Sequence, residues 1–274
     1  MTVLIIGASG NTGGRLARQL AERGIPVRRA GRAATDVRFD WTETSTFEPA
    51  VRGVRAVYLV SPIGVLDPEP VVLPFLAAAQ RAGVARIVLL SSSAVPVGGP
   101  GPGRLGALLP SYVPEWTVLR PTWFASNFTG RHMHARSARE TGEIVSATGA
   151  GRVPFIDPED IATVARHALT DAEASGRAPV LTGPEPLSFD EVAASLSVHL
   201  CRTVRHRQVD AAELARRHRT DGLPAEFADL LAGMDAAIAA GAEDRTTTAV
   251  QDITGRPPRH FADFLADSTP CVVH

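Results

Sequence analysis

The chain contains no lysine; all 28 of its Lys-plus-Arg positions are arginine. Any mechanism that requires a lysine ammonium is therefore excluded. Cysteine is almost as scarce. Cys201 and Cys271 stand far apart and match neither a metal-binding nor a redox spacing, which points to a reduced, cytoplasmic protein. No apolar run approaches the ~20 residues needed to cross a bilayer, so no membrane span is expected. The opening Met1-Thr2-Val3-Leu4-Ile5-Ile6 lacks the basic start of a signal peptide and runs straight into glycine. A formal net charge of -1 gives no general attraction to nucleic acid or to an anionic membrane. His132-Met133-His134 lacks a nearby third ligand, so no metal site is expected. What is present is ordinary globular composition, 45% hydrophobic and 21% charged, in 274 residues. That length holds one large domain, or a full domain with a smaller appendage.

Val3 to Ile6 is a short continuous apolar run, the pattern of a central parallel strand covered on both faces. Arg15 to Arg23 then carries Leu16, Ala17, Leu20 and Ala21 at helical spacing, with Gly24 to close the helix. Further strands are predicted near 26–30, 37–39, 54–60, 86–90 and 116–119, with a helix over 70–82. Strands alternating with helices predict an α/β fold, a doubly wound and mostly parallel Rossmann sheet. Pro96 to Gly106 is so rich in Gly and Pro that it reads as a loop. Beyond about Arg131 the alternation fades. Ser188-Phe189-Asp190-Glu191 is a capping box, and 211–219, 224–240 and 261–265 read as helical. The division expected is a dinucleotide-binding domain over 1–150. Residues 151–274 then hold the remaining sheet elements and a smaller, largely helical substrate and lid region.

Gly7-Ala8-Ser9-Gly10-Asn11-Thr12-Gly13 has the form G-x-x-G-x-x-G, leaving an apolar strand and entering an amphipathic helix. In that setting Gly7 permits the tight turn, Gly10 lets the backbone approach a pyrophosphate, and Gly13 lets helix and strand pack closely. Ser9, Asn11 and Thr12 complete the cradle, whose free amides and positive helix end face the phosphates. Where an acid would hold the ribose hydroxyls of NAD, the chain offers Arg28, Arg29 and Arg32; the first acid after them is Asp36. A guanidinium suits the extra phosphate of NADP. Arg32, at the turn after the second strand, is the first choice. Strand alternation lets only one of Arg28 and Arg29 face the site. At the carboxyl end of the sixth strand, where open α/β sheets bind ligands, lie Pro121, Thr122, Trp123, Phe124 and Asn127. Trp123 and Phe124 suit an aromatic wall for a planar substrate, and Phe155 is a further lining candidate.

The glycine turn, Ser91-Ser92-Ser93-Ala94, Leu119-Arg120-Pro121-Thr122-Trp123-Phe124-Ala125-Ser126-Asn127-Phe128 and the tail Thr254-Gly255-Arg256-Pro257-Pro258-Arg259 together resemble the NmrA-like atypical short-chain dehydrogenase/reductases. The likeness is strongest to the branch related to ergot alkaloid iminium reductases, and it spans nearly the whole chain. The resemblance implies that Val60, Ser61 and Pro62 line the cofactor, that Asp40 lies near the adenine, and that Ser91 belongs to the cofactor site. It implies Ser93 as the catalytic hydroxyl. The chain departs from the wider superfamily in lacking its Tyr-x-x-x-Lys pair, since Tyr112 is followed four residues later by Trp116.

Hydride transfer needs positioning and stabilisation of developing charge, and the cofactor carries the hard step. The leading expectation is an NADPH-dependent ketoreductase acting on an aromatic or conjugated ketone of bacterial secondary metabolism, such as a polyketide. An iminium or quinone reductase is the enzymatic alternative. A non-catalytic NADP-binding sensor is the alternative from another class.

Overall fold

The computed structural model describes residues 1–33, 36–172 and 176–268; Cys271 lies outside them. The chain forms two compact units. The first comprises Met1–Pro121, Pro158–Leu181 and Ala249–Arg256; the second comprises Thr122–Asp157, Thr182–Thr248 and Pro257–His274.

The first unit is built on a sheet of seven strands. Six are β1 (Val3–Ile6), β2 (Val27–Gly31), β3 (Val37–Arg38), β4 (Ala56–Val60), β5 (Arg86–Leu90) and β6 (Glu115–Pro121); Val180–Leu181 is the seventh. Their order is β3-β2-β1-β4-β5-β6 followed by Val180–Leu181, and every pairing is parallel. Ile5 lies opposite Arg29 on one side and Tyr58 on the other. β1 is apolar throughout because both its faces are covered, and all four of its residues are buried. The chain leaves β1 for β2 and β3 on one side, then returns to β4 on the other. The crevice past the ends of β1 and β4 is thus the topological switch point of a doubly wound sheet.

Helices α1 (Asn11–Glu22), α2 (Phe47–Val51), α3 (Glu69–Arg81) and α4 (Pro102–Leu108) connect the strands. Helix α1 packs against the helix Pro158–Thr170. There Arg18 Nη2 donates to both carboxylate oxygens of Glu159 at 2.7 and 2.8 Å, and Gln19 donates to the same group at 2.7 Å. A second cluster gathers Phe39, Phe47 and Phe75 with centroids 5.4 to 5.7 Å apart, and Trp41 meets Phe39 edge-on at 4.8 Å.

Helix α4 corrects the sequence expectation of a loop over Pro96 to Gly106. Gly101, at φ +59, makes the turn, and Pro102 supplies a prearranged first helical residue. The glycines inside α4 serve close packing. A Cβ at Gly103 would lie 2.3 Å from the Pro96 carbonyl oxygen, and one at Gly106 would lie 3.1 Å from Val118.

The second unit joins a parallel pair, Glu143–Ser146 with Arg205–Gln208, to an antiparallel pair, Arg152–Val153 with Leu187–Ser188. Around them lie the helices Met133–Glu140, Phe189–His199, Ala211–Thr220, Ala225–Ala239 and Phe261–Asp267. The predicted capping box is formed. Ser188 Oγ accepts from the Glu191 amide at 3.2 Å, while the Ser188 amide donates to the Glu191 carboxylate at 2.7 Å. The core of this unit centres on Phe128, Phe155, Phe189 and Phe261. No described helix is long and apolar enough to cross a membrane.

Candidate functional site

β1 hands the chain to the glycine turn at Gly7, whose φ of +78 is readily adopted by glycine alone. The Gly10 amide donates back to the Gly7 carbonyl at 2.9 Å and closes the turn. Gly10 is then the N-cap of α1, and no side chain caps the helix. The first turn carries no acidic residue. A helix N-terminus concentrates amide donors and positive dipole charge, and in α1 that end adjoins the glycine turn. A Cβ at Gly13 would lie 2.3 Å from the Gly7 carbonyl oxygen, whereas one at Gly10 would lie 3.1 Å away. Ser9 and Asn11 are exposed on the turn. Thr12 is different: its hydroxyl points inward and accepts from Tyr58 at 2.8 Å, so its main chain is what it offers to a ligand.

The arginines of the second strand separate by partner. Arg28 donates to the carbonyls of Ala50 and Arg52 at 2.9 and 2.6 Å, which ties β2 to α2. Arg29 holds Asp36 through two side-chain bonds of 3.2 and 2.9 Å. Arg32 is exposed, with no hydrogen-bond partner among the described residues. Asp40 stands nearby, its Oδ1 accepting from the Thr42 amide and hydroxyl at 2.9 and 2.8 Å. Those two bonds, helped by the positive charges of Arg32 and Arg38, hold its carboxyl below the ordinary carboxylate range.

At the strand ends, Val60 packs beside the turn, 3.5 Å from where a Cβ on Gly7 would stand, and Ser61 and Pro62 follow it half-buried. The Oγ of Ser91 is buried with no hydrogen-bond partner among the described residues. Ser93 is only 3% exposed, and its amide donates to the Pro121 carbonyl at 2.9 Å. Arg120 holds this loop, donating to the carbonyls of Ser93 and Val95 at 3.0 Å each.

Neither tyrosine occupies a strand end. Tyr58 lies wholly inside β4, where burial pushes its phenol above the ordinary range. Tyr112 is packed against the core of the first unit. Arg104, in α4, is paired with Glu69 at 3.0 Å. Tyr58→Phe is therefore expected to cost about 1 kcal/mol of stability and to leave turnover unchanged. Thermal melts and steady-state rates check this, and a fall of roughly a hundredfold in turnover would return Tyr58 to the chemistry.

The residues read as substrate-lining all belong to the second unit. Thr122 is 2% exposed, and its hydroxyl donates to the Pro154 carbonyl at 2.6 Å. Trp123 and Phe124 are half-buried, Trp123 against the core of its own unit; the Ile156 amide donates to the Trp123 carbonyl at 2.9 Å, and Phe124 stands opposite Ile156 in an isolated parallel bridge. Asn127 is half-buried in the following turn, its amide donating to the Phe124 carbonyl at 3.0 Å. Phe155 is corrected from lining to core. It is 2% exposed and meets Phe128 edge-on at 5.1 Å, with Phe189 and Phe261 also in ring contact. Three other rings meet it, so it packs as core.

The first unit thus fits a dinucleotide on three counts: a cradle that a Cβ would fill, an uncapped helix N-terminus, and an orphaned buried hydroxyl beyond β5. Residues 7–172 match the family described as NAD(P)H-binding. The chain belongs to this NAD(P)H-binding family. An agroclavine dehydrogenase of Claviceps fusiformis is 40% identical over 98% of this chain and 97% of its own. Among solved structures, the NADPH-dependent quinone oxidoreductase of Escherichia coli, complexed with NADPH, shares the fold. Its TM-score is 0.75 at 23% identity, covering 96% of this chain and 98% of that one. A double mutant of NmrA shares it too, with a TM-score of 0.73 at 17% identity, covering 97% and 94%. The expected family resemblance is borne out.

One feature of this NAD(P)H-binding protein escaped the sequence. Arg120 was visible only as part of a motif, although a lone charge closing an apolar strand is a signal that it is held by something. Ser91, by contrast, was already assigned to the cofactor site by resemblance, and the structure adds that its hydroxyl is buried with no hydrogen-bond partner among the described residues.

Proposed function

We propose that this oxidoreductase uses NADPH to reduce an iminium carbon in a planar small molecule. The observation that carries this reading is the fate of the proton donors: with no lysine in the chain and Tyr58 buried against Thr12, the usual tyrosine acid is missing. Bound NADPH supplies a hydride. An iminium carbon that accepts it becomes a neutral amine, and no proton is required from the protein. The roles of the chain are then binding, orientation and exclusion of water. The amides opening α1 hold the pyrophosphate, Arg32 takes the phosphate that distinguishes NADPH from NADH, and Val60, Ser61 and Pro62 flank the carrier. Trp123, Phe124 and Asn127 are assigned to the substrate. The relationship to a clavine dehydrogenase agrees with a nitrogen-containing substrate.

Ketone reduction is a second reading, favoured by the Ser93 hydroxyl beyond β5. A ketone needs a proton as well as the hydride, and Ser93 would relay it from a phenol of the substrate itself. The assay is NADPH consumption on cyclic iminiums, quinones and hydroxyaryl ketones, with wild type and Ser93→Ala. Turnover is expected on iminiums and unchanged in the variant. Turnover confined to ketones, lost by about a hundredfold in Ser93→Ala, would replace the first reading with the second. Tight NADPH binding with no turnover on any class would leave a cofactor sensor.

A further inference from the structure

The His132-Met133-His134 motif, unused in the chemistry above, opens one wall of a cavity in the second unit. His132 caps the helix Met133–Glu140, its Nδ1 accepting from the His134 amide at 3.2 Å. That places Met133 and His134 toward a cavity of about 220 Å³, whose facing wall is the helix Ala211–Thr220 with Leu214 and His218. Val145 and Ser137 complete the lining that matters here.

His218 is 6% exposed, and its Nδ1 is buried with no hydrogen-bond partner among the described residues. A buried polar atom left unpaired is costly, and in native proteins such an atom commonly marks a missing ligand or water. Burial pushes the His218 imidazole below its ordinary pKa and that of His134 to about 3, so both rings are neutral near pH 7. No described group of three or more His, Cys, Asp or Glu is arranged to hold a metal ion.

We infer that this cavity binds a small hydroxyaryl molecule whose hydroxyl pairs with His218 Nδ1. A hydroxyl both donates and accepts, so it satisfies the ring nitrogen in either neutral tautomer. Met133, Val145 and Leu214 offer apolar surface to the ring, and a thioether packs well at an aromatic edge. The His134 imidazole, stacked on Phe128 at 5.6 Å and 19°, stiffens the wall. Size limits the ligand to one or two rings: a cavity of about 150 Å³ takes benzene, while pockets for drug-sized ligands run from about 300 Å³ upward. The inference does not depend on the reduction proposed above, because none of Thr122, Trp123, Phe124 and Asn127 lines this cavity.

The test is calorimetric titration of the full-length protein, saturated with NADPH, with naphthol and with fluoronaphthalene as the probe lacking a hydroxyl. Naphthol is expected to bind at one site, with fluoronaphthalene roughly tenfold weaker. His218→Phe removes the ring nitrogen, and Ser137→Phe fills the cavity from a half-exposed position; each is expected to weaken naphthol by about tenfold or more. Should His218→Phe fail to fold, Ser137→Phe still decides. Unaltered naphthol affinity in Ser137→Phe would overturn the site. So would naphthol binding that NADPH abolishes, since the naphthol would then occupy the cofactor crevice.

Discussion

Gly13→Ala is expected to melt well below the wild type and to lose NADPH binding. The methyl group it adds would stand 2.3 Å from the Gly7 carbonyl oxygen and 2.9 Å from the Gly7 carbonyl carbon. Both are main-chain atoms, so no side-chain rotation relieves the contact; either the turn or the start of α1 must move. Overpacking of this kind costs about 3 kcal/mol or more, which lowers Tm by roughly 6 °C or more in a chain of this size. Displacement of the turn also pulls the first amides of α1 off the pyrophosphate, and affinity falls with the loss of aligned donors. Gly10→Ala separates fold from ligand. Its backbone φ of -84 suits any residue, and its methyl would meet the Gly7 oxygen at 3.1 Å, a contact that a small shift relieves. Near-normal melting with weakened NADPH is expected there. Differential scanning calorimetry and titration with NADPH measure both variants. A Gly13→Ala protein with unchanged Tm and affinity would show that the turn is looser than its contacts imply.

The different legibility of the two units has a physical basis. In the first unit the signals are local and agree with one another. A buried parallel strand must be apolar on both faces, and a glycine turn must follow if a helix is to start at once. Val3 to Gly13 states all of this within eleven residues. In the second unit the strands are short and the pairing is distant. Glu143–Ser146 pairs with Arg205–Gln208, whose sequence Arg-His-Arg-Gln carries no apolar alternation. The helices of this unit were legible through local signals alone, the Ser188 capping box and the helical spacing over 211–219, 224–240 and 261–265. Phe155 and the stretch Pro96 to Gly106 show the same limit from opposite sides. Whether an aromatic side chain faces a ligand or three other rings, and whether a glycine frees a loop or clears room for a carbonyl, is decided by residues far away in sequence.

The cofactor arginine sits between these cases, and its removal has a selective consequence. Three arginines in 28–32 gave a strong signal for a phosphate without saying which of them serves it. The structure sorts them by what each already bonds: Arg28 two carbonyls, Arg29 a carboxylate, and Arg32 none among the described residues, with Asp40 near it only as a charge. Arg32→Ala is therefore expected to raise the KM for NADPH while leaving that for NADH unchanged. A hydrogen bond to a charged group contributes about 1.5–3 kcal/mol. Exposure of Arg32 places it at the low end, so a loss of about 10- to 30-fold follows at roughly tenfold per 1.4 kcal/mol. The preference should also weaken as salt rises, because an exposed charge pair is screened. Arg29→Ala is the control. Its guanidinium is committed to Asp36, so NADPH affinity is expected to stay near wild type with a small loss of stability. A larger effect at Arg29 than at Arg32 would mean that the Arg29–Asp36 pair opens to admit the phosphate, and the assignment would pass to Arg29.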